Sequence, residues 1–195
     1  MRASIIGGLC VVATVTVLVA GATPASSQEK KDSKTLRLEA DRAKVNELAQ
    51  GALSTLFEGN ATAKELYDKA YGWAVFDNLK IAFGFSGGGG DGVAVNKETG
   101  AHTYMKMGTV GVGLGLGAQK YQVIFLFQDE QTFRSFVDKG WQANASAQAA
   151  AGTEGVGGQA GFVNGIAIYQ ITDKGLMASA DIAGTKYWKD KKLNQ

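Results

Sequence analysis

The sequence predicts an α+β domain: a strongly curved, barrel-like antiparallel sheet of roughly eight strands, rich in glycine and covered by N-terminal amphipathic helices. Three observations carry this. The first is Thr109–Gly117, where Gly111, Gly113, Gly115 and Gly117 alternate with Val110, Val112, Leu114 and Leu116. Strand side chains point alternately to opposite faces, so the run reads as one strand with a bare face and an aliphatic face. Four glycines in a strand cost about 2–4 kcal/mol relative to alanine. A bare face therefore implies close approach of a neighbour or sharp bending. The second is composition: 27 glycines against one proline, with 45% apolar residues, favours many tight β turns over disorder. The third is periodicity. Helical spacing is confined to two or three segments, and the strand-like runs between them are joined mostly by hairpins, which is an α+β pattern.

Taken in order, the chain starts Met1-Arg2 and runs apolar from Ile5 to Ala20, with small residues at Ala20–Ala22 and Ala25–Ser27. This reads as a secretory signal over residues 1–27, cleaved between 22 and 27, which would make the protein exported: periplasmic, envelope-associated or secreted. A transmembrane anchor is the alternative, for which the run is a little short and lacks a stop-transfer flank. Cys10 follows Gly7-Gly8-Leu9 with most of the apolar run behind it, the wrong order for lipid attachment. The mature chain then has no cysteine, and neither disulfide nor thiolate chemistry. Residues 28–34 form a polar, Lys-rich connector, with Asp32 or Ser33 placed to cap the first helix.

A single domain is expected over 35–190. Leu38, Val45, Leu48, Ala49, Ala52 and Leu56 recur at helical spacing between Thr35 and Phe57, and Asn60 caps a short second helix that Gly72 ends. Trp73–Phe76 and Ile81–Phe85 are strands, and Gly87–Gly92 is a turn. Val93–Val95 leads through a loop at Asn96–Gly100 into a strand over His102–Met107. Tyr121–Phe127 is apolar almost throughout and is expected to be central. Asp129 caps a helix whose Phe133, Phe136 and Val137 share a face, and Trp141–Ala149 alternates as a strand does. A last hairpin runs from Val163 to Ile182 around Asp173–Gly175, with a basic, aromatic tail after it over Thr185–Lys192.

Much chemistry is excluded. One histidine, His102, and no mature cysteine leave no nucleophile–base set and no zinc spacing, so neither catalytic residues, nor a metal, nor a cofactor is expected. Gly87–Gly92 lacks the Lys-Ser/Thr ending of a phosphate loop and runs into a strand. Gly113–Ala118 matches a dinucleotide pattern only as a strand leading to another strand. Formal charge is +2, falling to about +1 without Arg2, so nothing global points to nucleic acid.

Over Leu66–Gly184 the sequence resembles the SYLF-domain family, the lipid-binding and Ysc-type actin-binding module. The resemblance rests on Lys69–Phe76, similar to the family's KAKGVAVFP, on Ala82–Gly90 with Gly92-Val93, and on Gly113–Ala118 with the apolar strand after it. Ala145–Gly152, Gly155–Gly161, Ile168-Tyr169 and Lys174–Ala178 come in the family's order. Gly84, Gly111, Gly113, Gly115 and Gly117 are expected to be structural glycines of the sheet. Asp77-Asn78 replaces the proline usual after the Val-Phe. The resemblance implies phospholipid binding, phosphoinositides included, without catalysis. Actin binding belongs to cytosolic members and is not expected of an exported one.

The residues suggest how lipid would be met. Lys186, Lys189, Lys191 and Lys192 surround Tyr187 and Trp188, while Lys34 and Arg37 join Lys30 and Lys31 near the first helix. At about 1 kcal/mol per basic residue near an anionic membrane, four lysines supply roughly 4 kcal/mol, a dissociation constant near millimolar. Insertion of Tyr187 and Trp188, or the apolar face of the first helix, has to add the rest. Two other readings stand beside this one: an envelope protein of structural or adhesive role that binds protein partners through its sheet, and a barrel holding a small apolar ligand against Phe83 and Phe85.

Overall fold

The structure, a computed structural model, describes residues 25–83, 85–111, 116–143, 161–173, 175–177 and 184–195. Gly84, Gly113, Gly115, residues 1–24 of the expected leader and most of Trp141–Ala149 lie outside the described residues. Within them, eleven elements come in order: α1 (Ala25–Gly59), α2 (Ala61–Lys69), β1 (Gly72–Phe83), β2 (Phe85–Asn96), β3 (His102–Gly111), β4 (Leu116–Phe127), α3 (Glu130–Lys139), β5 (Trp141–Gln142), β6 (Ile166–Thr172), β7 (Gly175–Met177) and β8 (Thr185–Lys189). The eight strands make one antiparallel, strongly curved half-barrel in the order β5-β8-β3-β2-β1-β4-β6-β7, the α+β fold expected.

The hairpin β1–β2 is the middle of this sheet, and it is longer than the sequence suggests. Trp73–Phe76 and Ile81–Phe85 are not separate strands; β1 runs unbroken through Asp77 and Asn78. Gly87–Gly92 is not a turn but strand, paired with Phe76–Ile81 on one side and, from Gly92 back to Gly87, with Met105–Val110 on the other. The reason is the closeness of the two backbones. A Cβ at Gly90 would overlap the Asp77 carbonyl, and one at Gly92 would overlap the Phe76 ring and the Val75 carbonyl. Only glycine lets a sheet close this tightly here.

Thr109–Gly117 likewise divides. Gly111 ends β3 and Leu116 opens β4, and these two strands run in opposite directions on either flank of the β1–β2 hairpin. Gly117 (φ +142°) holds a conformation that other residues rarely adopt. Tyr121–Phe127 is central, as expected, between β1 and β6.

Each face of the sheet has its own core. On one, Trp73, Val75, Val93, Val95, Ile124 and Leu126 pack against Ala49, Ala52, Leu53 and Leu56 of α1 and Leu66 of α2. On the other, Phe76, Met105, Phe125 and Phe127 pack against Phe133, Phe136 and Val137 of α3 and against Tyr187. The caps are those expected: Asn60 Oδ1 accepts from Ala63 N at 2.9 Å, and Asp129 Oδ1 accepts from Thr132 N at 2.8 Å. Gly72 does not end α2, which stops at Lys69 with Ala70 as its cap. The Lys-rich stretch 28–34 is part of α1. Ser33 Oγ donates back to the Lys30 carbonyl at 3.0 Å, so it bonds within the helix instead of capping it.

Candidate functional site

The last strand separates the residues of the basic tail. In β8, alternation sends Thr185 and Tyr187 to the α3 face and Lys186 and Trp188 to the α1 face. Tyr187 is 1% exposed, with ring centroids 4.7 Å from Phe76 and 5.0 Å from Phe125. It is therefore a core residue and not one that inserts into a membrane; burial drives its hydroxyl pKa well above the ordinary value. Lys189 is turned to α3, with Nζ 2.7 Å from Asp138 Oδ1, and this contact lowers the Asp138 pKa. Lys192 reaches back to α1, Nζ 2.9 Å from Asp41 Oδ2, and lowers the Asp41 pKa. Lys34, Arg37, Lys186 and Lys191 are exposed.

The turn after β8 ties the C-terminus to α1 and to β3. Arg42 of α1 donates to the carbonyls of Leu193 at 2.8 Å and Gln195 at 2.7 Å, and Asn194 Nδ2 donates to the Tyr104 carbonyl at 2.7 Å. His102, on the same side, hydrogen-bonds Asn46 of α1 through Nδ1 at 3.1 Å, a helix-to-sheet contact and no catalytic arrangement.

Two features lie side by side on the α1 face. The first is a cleft of about 350 Å³ between helix and sheet. Asp41, Lys44, Val45 and Leu48 line it from α1, at the i, i+3, i+4, i+7 spacing of one helical face. Asp77, Leu79, Asp91 and Lys106 rise from the sheet, and Asp190 and Lys192 close one side. Lys106 Nζ lies 3.4 Å from Asp91 Oδ1 and 3.6 Å from Asp190 Oδ2, and the Asp91 charge, with that of Asp190, raises the Lys106 pKa. Asp77 is half-buried, opposite Gln122 of β4. Its burial raises its pKa above the ordinary 3.8.

The second feature is where the sheet runs out from under α1. Leu79, Ile81, Val110 and Trp188 are 41%, 55%, 76% and 44% exposed there. Strand register places Val110, Gly87 and Ile81 in one row, and Lys186, Gly108, Gly89, Leu79 and Lys120 in the next. Adjacent strands lie about 4.8 Å apart, so Lys186 and Lys120 are roughly 19 Å from each other along the sheet. A Cβ at Gly87 would meet nothing, so among the described residues this end is uncovered, while the Trp188 ring lies over Gly108. The result is an apolar floor with a lysine at each side. No sequence pattern points to it, because its residues come from four strands and meet only through their pairing.

Among the described residues there is no cluster of histidine, cysteine or carboxylate side chains fit for a metal ion, and no helix long and apolar enough to cross a membrane. Residues 108–195 match the family model Ysc84, described as "Las17-binding protein actin regulator". A curated protein of Aeromonas veronii, "Beta cell expansion factor A", is 46% identical over 154 residues, covering 79% of this chain and 59% of that protein. The chain thus spans about three fifths of that relative's length.

Proposed function

Because this chain belongs to the Ysc84 (SYLF) family, a family of binding domains and not of known enzymes, we propose that it works by binding, and that it binds an anionic phospholipid surface. The observation that supports this is the uncovered end of the sheet, with Leu79, Ile81, Val110 and Trp188 between Lys120 and Lys186. A membrane surface offers both an apolar layer and negative charge, and this patch complements both.

Magnitudes favour the patch over the tail. Each fully transferred apolar side chain contributes about 1.5–3 kcal/mol, and the four here present roughly half their surface. Together they supply about 4 kcal/mol, and two lysines add about 2. A total near 6 kcal/mol corresponds to a dissociation constant of tens of micromolar. The tail lysines alone reach only about millimolar, and two of them are held by Asp138 and Asp41.

Vesicle flotation of the full chain tests this, comparing phosphatidylcholine with mixed phosphatidylcholine–phosphatidylglycerol vesicles at low and high salt. Binding to the anionic vesicles that weakens with salt is expected. Ile81→Asp with Val110→Asp should weaken it at least tenfold, and Lys186→Glu should weaken it more than Lys189→Glu. Unchanged binding by the double variant would overturn the patch. The family model's description names protein partners instead, so the contrasting arm is cosedimentation with actin filaments. Pelleting with filaments but not floating with vesicles would favour a protein-binding role.

A further inference from the structure

The cleft beside the patch holds four aspartates, Asp41, Asp77, Asp91 and Asp190, and three lysines, Lys44, Lys106 and Lys192, and not all of them are in ion pairs among the described residues. Lys106 is satisfied by Asp91 and Asp190, and Lys192 by Asp41. Two groups remain. Asp77, in the floor, lies opposite Gln122 in the β1–β4 pairing, and neither Lys44 nor Lys120, both near enough to act on it electrostatically, forms an ion pair with it. Lys44, exposed on α1 at the rim, makes no ion pair among the described residues. A half-buried carboxylate without an ion-pair partner is costly, and a cation that reaches it recovers that cost.

Beside its ion pairs, the cleft therefore presents one carboxylate in its floor, Asp77, and one ammonium at its rim, Lys44, neither in an ion pair among the described residues and joined by the apolar side chains of Val45, Leu48 and Leu79. What fits is a small zwitterion, cation inward and anion outward. The cation has to donate hydrogen bonds to Asp77, which a primary ammonium does and a quaternary one cannot. The volume lies within the range of small-ligand sites, about 300–1,000 Å³. Leu79 belongs to both the cleft and the membrane-facing patch, so the mouth opens where a headgroup would arrive.

We infer that this cleft binds an ammonium–phosphate zwitterion of the ethanolamine-phosphate class, with its ammonium on Asp77 and its phosphate at Lys44. That the zwitterion comes from a membrane lipid rests on the membrane reading above; the charge pattern of the cleft does not.

Titration of the full chain with glycerophosphoethanolamine, monitored by calorimetry or amide chemical shifts, is the test. Saturable binding is expected. Glycerophosphocholine and glycerol phosphate should bind at least tenfold more weakly, since one lacks N–H donors and the other lacks the cation. Asp77→Asn should cost at least tenfold and Lys44→Ala, at an exposed helical position that leaves the fold intact, several-fold. Equal binding of all three compounds, or no effect of either substitution, would overturn the site.

The lipid source is tested separately with phosphatidylglycerol vesicles that contain either phosphatidylethanolamine or phosphatidylcholine. Stronger flotation with phosphatidylethanolamine supports lipid as the source. Binding of the soluble compound without vesicle binding keeps the cleft and removes the membrane as its source. Flotation indifferent to phosphatidylethanolamine, with no soluble binding, keeps the patch and overturns the cleft.

Discussion

At the scale of single residues, glycines in one strand have opposite meanings. Gly90→Ala and Gly92→Ala drive a methyl group into the backbone or ring of β1, and overpacking of that kind costs about 1–3 kcal/mol. Gly87→Ala meets open space, and alanine is better than glycine in a strand by about 0.5–1 kcal/mol. Urea denaturation should therefore show the first two destabilised and the third unchanged or slightly stabilised. Asp77 is informative through its pH dependence. Its folded pKa lies above the ordinary 3.8 because it is buried, so the folded state holds the proton more tightly than the unfolded chain. Its contribution to stability is greatest below the unfolded pKa and is lost as pH rises through the folded one. Asp77→Asn should raise the melting temperature at pH 7 and flatten the fall in stability on the alkaline side of pH 4. A residue whose charge weakens the fold is one whose use lies elsewhere, in keeping with its place in the cleft.

At the scale of elements, the sequence makes legible what depends on neighbours along the chain. Asn60 and Asp129 stand at their caps because a side-chain oxygen there bonds an amide three residues on. The Asn96–Gly100 loop is legible for the same reason: Asn96 Oδ1 accepts from Glu98 N at 2.9 Å and Thr99 N at 3.1 Å, and Gly100 takes φ +68°. Asp129→Ala should cost about 1 kcal/mol, measured as a lowered denaturant midpoint. Elements defined by distant partners are not legible in this way. Gly87–Gly92 resembles a turn until β1 and β3 are laid beside it. Lys186, Tyr187 and Trp188 read as one basic, aromatic cluster until β8 pairs with β3 and sends neighbours to opposite faces. The strand-like alternation of Thr185–Lys189 is a usable signal, masked by the lysines.

At the scale of the molecule, the fold class is legible and the site is not. Glycine content, caps and apolar periodicity specify an antiparallel sheet covered by helices. The patch joins residues from four strands and the cleft joins α1, the sheet and the turn after β8, so both depend on register and on helix placement. The expected basic face is also rearranged: the tail's lysines are divided among α3, α1 and solvent, and the surface that pairs apolar side chains with positive charge is the uncovered end of the sheet.

The order of the strands also separates near contacts from far ones. The β1–β2 hairpin and the β2–β3 loop are local and close at little entropic cost, whereas β8 pairs with β3 from far along the chain, Met105 lying opposite Lys189. Contacts of such long range form late. Asp190, Lys192 and Leu193, which complete the cleft, and the carbonyls that anchor Arg42 arrive with that last strand. The cleft is thus complete only when the C-terminal strand and turn are docked, so its capacity to bind depends on contacts that span the fold.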